Sequence, residues 1–404
     1  MYKNINKITD EVLGGYINLL ATYYDLHSNP ELSFCEWQTA ERLSAHLRSE
    51  GIDHRSIAQT GILAKIEGSA EGADLHRAIV LRADIDALPI QEANDTPYAS
   101  QKEGVMHACG HDMHTTILLG ALGYLHRHRE EFGCTIFGLF QPAEELNPGG
   151  AKSVLEENPF EGYEVVAVLG NHIEPTLPTG TIGICEGKYM AACDELHFRI
   201  IGKGGHAALR EKIIDPILPT ARLIEWLYAL PALAPEGAGQ TILSIGKIDA
   251  AGATNIVPNE VYLEGTMRTF DEGWRTELKD RIDELCSSIA NDYGVSVENN
   301  FGSGYPAVYN YPSLAQGAKE ILGGIFEVVE LSTRPTGEDF GYYTERYPSL
   351  FYRLGVGYSG EEFESGKAGA LHTPTLLPDT KAIGVGILAM TLLALDIQHL
   401  NFGK

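Results

Sequence analysis

The segment MHACGHDMHT, residues 106–115, places one thiol and several imidazoles within a short stretch of chain. Cys109 and His111 flank Gly110, so both side chains can face one point if the chain turns there, whereas side chains two apart on a helix diverge. Thiolate and imidazole are ligands that transition metals prefer. The pair therefore indicates a metal site, although a buried thiol beside a helix-capping histidine would give the same pattern.

Further donor side chains follow apolar segments. FQPAEE places Glu144 and Glu145 after one such segment, and adjacent carboxylates repel unless a cation or solvent compensates them. LGNHIEP places His172 at the end of another predicted strand, and ALHTPTLLPD places His372 before the final helix. A solvated acidic loop and two structural histidines are the alternative interpretations when each segment is taken alone. Together the segments predict donors at strand-end loops: Cys109, His111, Glu145, His172 and His372.

This mixed set of sulfur, nitrogen and oxygen donors suits zinc, manganese, cobalt or nickel and would be unusual for magnesium or calcium. The set is larger than one tetrahedral ion needs, so we expect two divalent metal ions with one bridging ligand. Paired metals lower the pKa of a bound water from ~15.7 towards ~7 and polarise a carbonyl group. Glu144, adjacent to a predicted ligand, would act as general base and then as general acid. The predicted chemistry is hydrolysis.

Hydrolysis through a tetrahedral intermediate also needs a hydrogen-bond donor for the oxyanion. His206 in GKGGHAAL is a candidate, because the glycines around it permit close backbone approach. A glycine-rich turn with an incidental histidine is the competing interpretation. The segment lacks the spacing of dinucleotide- and phosphate-binding loops, so nucleotide binding is not expected.

Alternating elements must position these side chains. AIVLRADIDALP, CTIFGLFQPAEE and EVVAVLGNHIEP each run from an apolar strand into a polar loop. Helical spacing is predicted over residues 36–50, with Gly51 as a stop signal, and over residues 115–125, with Asp112 as the cap. Strands that alternate with helices predict an α/β sheet with its site beyond the carboxyl ends of the strands.

The order of elements changes between about residues 188 and 301. Strand, helix, two strands, helix and strand are predicted over residues 194–202, 215–230, 241–249, 260–270, 272–293 and 295–301. This β-α-β-β-α-β order is ferredoxin-like and predicts a compact inserted α+β domain over residues 188–301. Alternation then returns, so residues 1–187 and 302–404 are predicted to form one discontinuous α/β domain.

Composition is consistent with this organisation. A chain of 404 residues exceeds the usual size of one hydrophobic core, and its net charge of -25 disfavours nucleic acid and anionic membranes as partners. The longest apolar run, residues 382–395, is short for a membrane span. The spacing of the cysteines does not suggest a disulfide framework, and the first residues lack a signal-peptide pattern. We therefore expect a cytoplasmic protein.

Taken in order, the motifs resemble the M20 family of metallopeptidases, and within it the amidohydrolase branch of aminoacylases, hippurate hydrolases and auxin-conjugate hydrolases. The similarity runs from LHSNPELSF through LRADIDALP, HACGHDMHT, FQPAEE, GKGGHAA, GATNIVP, GTMRTF and GEDF to LHTP. It implies an α/β catalytic domain with a mixed sheet and a two-metal site, and an inserted lid domain that forms a homodimer. The implied ligands are Cys109, His111, Glu145, His172 and His372, with Glu144 as the general base.

The resemblance implies roles for further residues. Asp84 in RADID would be a carboxylate that orients the metal site. His206 would stabilise the oxyanion in the partner subunit's site. Asn255 in GATNIVP and Arg268 in GTMRTF would contact the substrate, Arg268 by pairing with the carboxylate of the amino acid.

Two departures accompany the resemblance. The wider family has an H-x-D pair where this chain has Arg82 and Asp84, so Cys109 would supply the missing ligand, as in the amidohydrolase branch. Arg210 and Glu211 stand where the branch usually has Pro-His after the lid histidine.

The implied function is hydrolysis of the amide bond of N-acyl amino acids to a carboxylate and a free amino acid. A dipeptidase or carboxypeptidase that uses the same metals and acts on short peptides is the neighbouring alternative. A non-catalytic metal-binding dimer is the alternative from another class. Retention of Glu144 and of every predicted metal ligand favours an enzyme.

Overall fold

The computed structural model describes residues 5–302 and 304–398, which form two compact units. The first contains residues 5–187, 309–332 and 342–398, and the second contains residues 188–302, 304–308 and 333–341. Each unit has its own hydrophobic core.

The sequence pattern assigns residues 302, 304–308 and 333–341 to the first domain, whereas they group with the second unit. Backbone hydrogen bonds explain the difference. Cys193 N donates to Tyr305 O at 2.9 Å, and Arg334 N donates to Tyr189 O at 2.8 Å. The catalytic and lid roles of the two units stay predictions.

The helices of the described residues are α1 (Ile5–Gly15), α2 (Leu20–Ser28), α3 (Trp37–Ser49), α4 (His111–Arg127), α5 (Gly150–Glu156), α6 (Ile217–Ala229), α7 (Glu272–Tyr293), α8 (Pro312–Leu322), α9 (Gly341–Thr344), α10 (Glu361–Glu364) and α11 (Ala382–Ile397). The strands are β1 (Asp53–Ile57), β2 (Gly61–Glu67), β3 (Arg77–Asp84), β4 (Thr135–Gln141), β5 (Glu164–Pro178), β6 (Thr181–Ile184), β7 (Gly187–Met190), β8 (Ala192–Ile201), β9 (Gly205–His206), β10 (Ile242–Asp249), β11 (Ile256–Val257), β12 (Glu260–Thr269), β13 (Ser296–Phe301), β14 (Val308–Asn310), β15 (Glu327–Glu330) and β16 (Ser349–Gly357).

The first unit contains a mixed sheet with strand order β1-β2-β4-β3-β5-β16-β6-β15 in the described chain. Its central strands β4, β3, β5 and β16 run parallel, and the pairs β1–β2 and β2–β4 are antiparallel. The central strands read as continuous apolar runs because both faces of a parallel sheet are covered. Parallel pairing places the carboxyl ends of β3 and β4 side by side, with Asp84 opposite Gln141.

Helix α4 begins earlier than predicted. Its first residue is His111, and Gly110 occupies the N-cap position with a φ of 81°. A Cβ at residue 110 would lie 2.3 Å from Ile173 Cδ1, so only glycine fits this left-handed position. The prediction of Asp112 as the cap is therefore wrong, since Asp112 lies inside the first helical turn.

Strand β5 also extends further than predicted. His172 lies within the strand rather than at its end, because β5 continues to Pro178. The backbone keeps pairing with β16 through Glu174, opposite Gly355, although the apolar run of the sequence ends before His172. Because polar side chains are buried in this part of β5, the sequence pattern predicts a strand end at a point where the strand continues.

The second unit contains an antiparallel sheet with strand order β10-β12-β8-β13. Leu196, Phe198 and Ile200 of β8 belong to a core shared with helices α6 and α7, whereas Glu195 and Arg199 are exposed. This alternation is typical of a sheet with one solvated face. The β-α-β-β-α-β order predicted for this region is confirmed.

None of the described helices combines the length and apolar character needed to cross a bilayer. The six cysteines are free thiols; Cys35 is exposed and the others are buried.

Candidate metal centre

The predicted metal ligands come together in the first unit. Cys109 Sγ lies 3.2 Å from His172 Nε2, His372 Nε2 lies 3.3 Å from Glu145 Oε1, and His111 Nε2 lies 3.9 Å from the same oxygen. Two groups of donor atoms, each within 4.8 Å of one another, are Cys109–His111–His172 and Cys109–Glu145–His372. Cys109 belongs to both groups.

These separations suit ligands around a common cation. With metal–ligand bonds of about 2.0–2.3 Å, tetrahedral ligands lie roughly 3.3–3.8 Å apart. The Nδ1 atoms of His111 and His172 contact the carbonyl oxygens of Asp86 and Ile173, at 2.9 and 2.7 Å, which leaves both Nε2 atoms for the shared point. His111 Nε2 and Glu145 Oε1 are both buried, and neither makes a well-directed hydrogen bond within the described residues, although His372 Nε2 lies 3.3 Å from the Glu145 oxygen. A divalent cation would satisfy both atoms, so the residues fit a metal centre.

The electrostatic environment also favours a cation. Burial and the charge of Glu145 raise the pKa of the Cys109 thiol. Hydrogen bonding to Cys109 and Glu145 raises the pKa of His372 to about 10. A divalent cation at this point would stabilise the thiolate and the neutral imidazole, the forms in which these side chains can act as ligands.

The loop that carries His372 is tied to the loop that carries Cys109. His372 N donates to Ala108 O at 2.8 Å, and His372 itself has a φ of 58°. Ala93 N donates to Pro374 O at 2.9 Å, which anchors the same loop a second time. A segment more than 250 residues away is thereby fixed beside Cys109.

Glu144 lies beside the predicted ligands. Its side chain is 6% exposed, and its carboxylate, Glu145 and His111 have donor atoms within 4.8 Å of one another. The predicted base thus stands at the same point as the predicted ligands.

Comparison with known proteins identifies the family of the chain. Residues 80–394 match the model of Peptidase family M20/M25/M40. The chain belongs to this family. It is similar to N-acetylcysteine deacetylase of Bacillus subtilis, at 36% identity over 364 residues, which are 89% of this chain and 92% of that protein. It is also similar to thermostable carboxypeptidase 2 of Saccharolobus solfataricus, at 33% identity over 381 residues, which are 93% of this chain and 94% of that protein.

A solved structure, a dinuclear metal-binding M20-family peptidase from Bacillus subtilis, aligns with a TM-score of 0.80 at 33% identity, covering 95% of this chain and 98% of that one. The chain is therefore a hydrolase that acts on amide bonds, in the amidohydrolase branch of the M20 family.

In this M20 amidohydrolase, Asp86 contacts a predicted ligand more directly than Asp84 does. Asp86 Oδ1 lies 3.2 Å from His111 Nδ1, and Asp86 Oδ2 accepts from Glu145 N at 3.0 Å and from Ser33 Oγ at 2.7 Å. Sequence reasoning missed Asp86. The available signal was the D-I-D spacing, because residues two apart in extended chain face the same side.

Asp84 is fully buried and bonds other partners. Its Oδ1 lies 2.6 Å from His114 Nδ1, and its Oδ2 accepts from Arg82 Nη1 at 2.6 Å. His114 Nε2 in turn accepts from Ile173 N at 2.9 Å, next to His172. Asp84 Oδ2 also lies 3.8 Å from His111 Nε2, so an orienting role of Asp84 could act on His111 directly and, through His114, on the strand that carries His172.

A second buried cluster lies next to His111 along the chain. His27 Nδ1 lies 2.6 Å from Asp112 Oδ2, and His27 Nε2 lies 3.2 Å from Glu92 Oε1. Burial alone lowers the pKa of His27, but the hydrogen bonds and charges of Asp112 and Glu92 raise it to about 10. This ion triad holds α2 against the start of α4, and no local spacing in the sequence indicates it.

The predicted lid residues lie in the second unit. Pairing of β9 with β11 places His206 opposite Ile256 and next to Asn255, whereas Arg268 lies on β12. His206 is exposed, and its Nδ1 accepts from Ala208 N at 3.2 Å. This contact leaves Nε2 available as the donor that an oxyanion requires. The roles of His206, Asn255 and Arg268 stay predictions.

Proposed function

We propose that this protein hydrolyses the amide bond of N-acyl amino acids, releasing a carboxylate and a free amino acid. The observation that carries the proposal is the convergence of the predicted ligands in two groups that share Cys109, with Glu144 beside them. Cys109, His111 and His172 would hold one divalent ion, and Cys109, Glu145 and His372 the other. Sulfur, imidazole and carboxylate donors suit zinc, manganese, cobalt or nickel.

Bound cations would supply Lewis acidity, which activates water and polarises the scissile carbonyl. Glu144 would take the proton of the attacking water and deliver it to the leaving amine. His206 would donate a hydrogen bond from its Nε2–H group to the oxyanion of the tetrahedral intermediate. Asn255 and Arg268 would hold the amino acid portion of the substrate, the guanidinium of Arg268 pairing with its carboxylate.

We further propose, from the family resemblance, that the protein is a homodimer in which each His206 serves the partner subunit's site. The exposed ring of His206 supports an intermolecular role, because its Nε2 proton has no partner within the described second unit.

A carboxypeptidase or dipeptidase activity is the second candidate. Similarity to thermostable carboxypeptidase 2 over 93% of this chain favours it, since the same metals and base can cleave a peptide bond. The two candidates differ in the group that precedes the scissile amide: a neutral acyl chain in one case and a charged amino terminus in the other.

The test is an activity screen of purified protein reconstituted with zinc, manganese, cobalt or nickel. Acetyl, benzoyl and longer acyl amino acids are compared with dipeptides of the same C-terminal residue, and metal-stripped protein is the control. We expect metal-dependent release of amino acid from the acyl substrates. Cleavage of the dipeptides alone would replace the deacylase with a peptidase, and no cleavage with any metal would overturn both.

A further inference from the structure

The acidic turn after β4, residues 142–145, is shaped by contacts with distant segments. Ala143 has a φ of 53°, a left-handed conformation that is unfavourable for alanine by about 1–2 kcal/mol. Such a conformation persists only where the surroundings impose it. Ala143 O accepts from Gly150 N at 2.9 Å, and a Cβ at residue 150 would lie 1.8 Å from Pro142 O. These contacts hold the carbonyl groups of Pro142 and Ala143 close against Gly150.

The turn matters because it directs two adjacent carboxylates to one place. Adjacent residues of an extended strand point to opposite faces. A strand that continued through Glu144 and Glu145 would therefore separate them, whereas both carboxylates here have oxygens within 4.8 Å of a nitrogen of His111.

The amide side of the turn is held by two buried carboxylates. Asp86 accepts from Glu145 N, as described above, and Glu36 Oε1 accepts from Ala143 N at 2.9 Å. Glu36 immediately precedes α3 and is 0% exposed, and its other oxygen accepts from Thr60 Oγ1 at 2.6 Å. Glu36 lies 107 positions from Ala143, so this contact joins separate parts of the first unit.

Burial of Glu36 is unfavourable unless its oxygens are hydrogen-bonded. Burial raises the pKa of Glu36 to about 7, with the charge of Asp86 adding to the rise and the hydrogen bonds from Thr60 and Ala143 opposing it. The folded protein therefore keeps the Glu36 carboxyl group buried, although its burial is unfavourable, at a position where it accepts a hydrogen bond from the Ala143 amide.

We propose that Glu36 is a positioning residue for the general base: by holding the Ala143 N–H, it fixes the turn that directs Glu144 at the substrate. This inference rests on the proposed function, in which Glu144 is that base. The side-chain hydrogen bonds of Glu36 go to Thr60 and Ala143 and not to a predicted ligand. Its loss is expected to misplace Glu144 rather than to remove a reacting group.

The test compares three substitutions at this position. Glu36→Gln keeps an oxygen that can accept from Ala143 N and an amide that can donate to the Thr60 hydroxyl. Glu36→Asp keeps the charge but withdraws it by one methylene. Glu36→Leu removes both acceptors at similar volume. If Glu36 acts through its charge, the Asp variant should keep its activity. If Glu36 acts by holding the turn, the Gln variant should keep its activity.

Glu31→Leu is the matched control. Glu31 Oε2 also accepts a backbone amide and a hydroxyl, Thr39 N at 2.7 Å and Thr39 Oγ1 at 2.9 Å, but these belong to the start of α3. Glu31 is half-buried, and its substitution reports how far loss of such a contact affects activity through stability alone.

Measured on metal-loaded full-length protein, Glu36→Leu should lower kcat by about 10²-fold, the usual effect of a misplaced catalytic group, with KM and bound metal within about twofold of wild type. Glu36→Gln should retain most of kcat, and Glu36→Asp should lie between the two. If Glu36→Leu does not fold, the Gln and Asp variants decide the question.

Unchanged kcat in both the Leu and Asp variants of an active enzyme would overturn this inference alone, as would an equal loss in Glu31→Leu. Wild-type protein that hydrolyses no amide would overturn the proposed function itself.

Discussion

His111 Nδ1 lies 3.2 Å from Asp86 Oδ1 and 2.9 Å from the Asp86 carbonyl oxygen, so one residue fixes the orientation of the imidazole. Partners of this kind typically contribute 10–100-fold to metal affinity. Asp86→Ala should therefore weaken metal binding by about that factor in a chelator competition. Asp74→Ala, which removes a carboxylate from the amide of His76 in an exposed loop, is the control and should leave affinity unchanged. Equal affinity in both variants would contradict the orienting role of Asp86.

Cys109→Ala should reduce the metal content of the purified protein, because Cys109 is common to both donor groups. His172→Ala and His372→Ala each remove a donor from one group, so each should lose about one ion, whereas Cys109→Ala should affect both. Elemental analysis measures the stoichiometry. Cys134→Ala, a buried thiol elsewhere in the first unit's core, controls for loss of a cysteine. Full occupancy in Cys109→Ala would remove the sulfur from the ligand set.

Glu144→Gln should keep its metal and lose its activity. The amide preserves the shape of the side chain but cannot accept the proton of the attacking water, and general base catalysis typically contributes about 10²–10⁴-fold. Steady-state kinetics measure the activity and elemental analysis measures the bound metal. Substitution of an exposed residue, Glu161→Gln, is the control. Undiminished turnover would require a different base.

Mixed dimers test whether His206 acts across subunits. His206→Ala and Glu144→Gln protomers are each expected to be nearly inactive. If His206 serves the partner's site, a heterodimer of the two contains one site with both residues intact, and up to about half of the wild-type activity per heterodimer should return. Differently tagged subunits allow the heterodimer to be purified. Heterodimers that stay inactive would place His206 and Glu144 of the same chain at one site.

The ion triad of His27 should make stability depend on pH. The folded-state pKa of His27, about 10, lies above its ordinary value of 6.5, so the stabilisation is fully present below about pH 6.5 and is lost as pH rises through 10. Asp112 and Glu92 bond the ring, and Tyr23 and Tyr98 pack against it with centroids 5.9 and 5.4 Å away.

His27→Leu should destabilise the metal-loaded protein by about 3–5 kcal/mol at pH 6, as expected when one partner of a buried ion pair is removed. The difference from wild type should shrink as pH approaches 10. Urea unfolding at several pH values measures it, and His76→Leu, an exposed histidine, is the control. A difference that is independent of pH would mean that His27 is neutral in the folded protein.

Elements with local signals were predictable from the sequence. Helix α7 lies over the predicted residues 272–293 because Asp271 caps it by accepting from Trp274 N at 2.9 Å and Gly294 ends it with a φ of 65°. Likewise, the predicted ligands could be located because each sits in a short segment of unusual composition next to an apolar run. Side-chain type and local spacing were sufficient for these assignments.

Features that depend on distant contacts were not predictable in this way. Asp86 and Glu36 hold the acidic turn from segments 59 and 107 residues away, and the sequence around them does not indicate which distant amide each one binds. Asp112 is a residue type that often caps helices, but Gly110 occupies the cap position and the Asp112 carboxylate bonds His27 instead. The polar residues around His172 are typical of a strand end, but pairing with β16 extends the strand beyond it. In each case, tertiary partners outweigh local preference.

In the proposed metal centre Cys109 Sγ would belong to both positions, so the two would not fill independently. A thiol must release its proton before the sulfur can coordinate, and a single release serves both positions. The first ion to bind would bear that free-energy cost, and the second would meet a sulfur that is already ionised. Loading should consequently be cooperative, with molecules that hold both ions or neither outnumbering those that hold one.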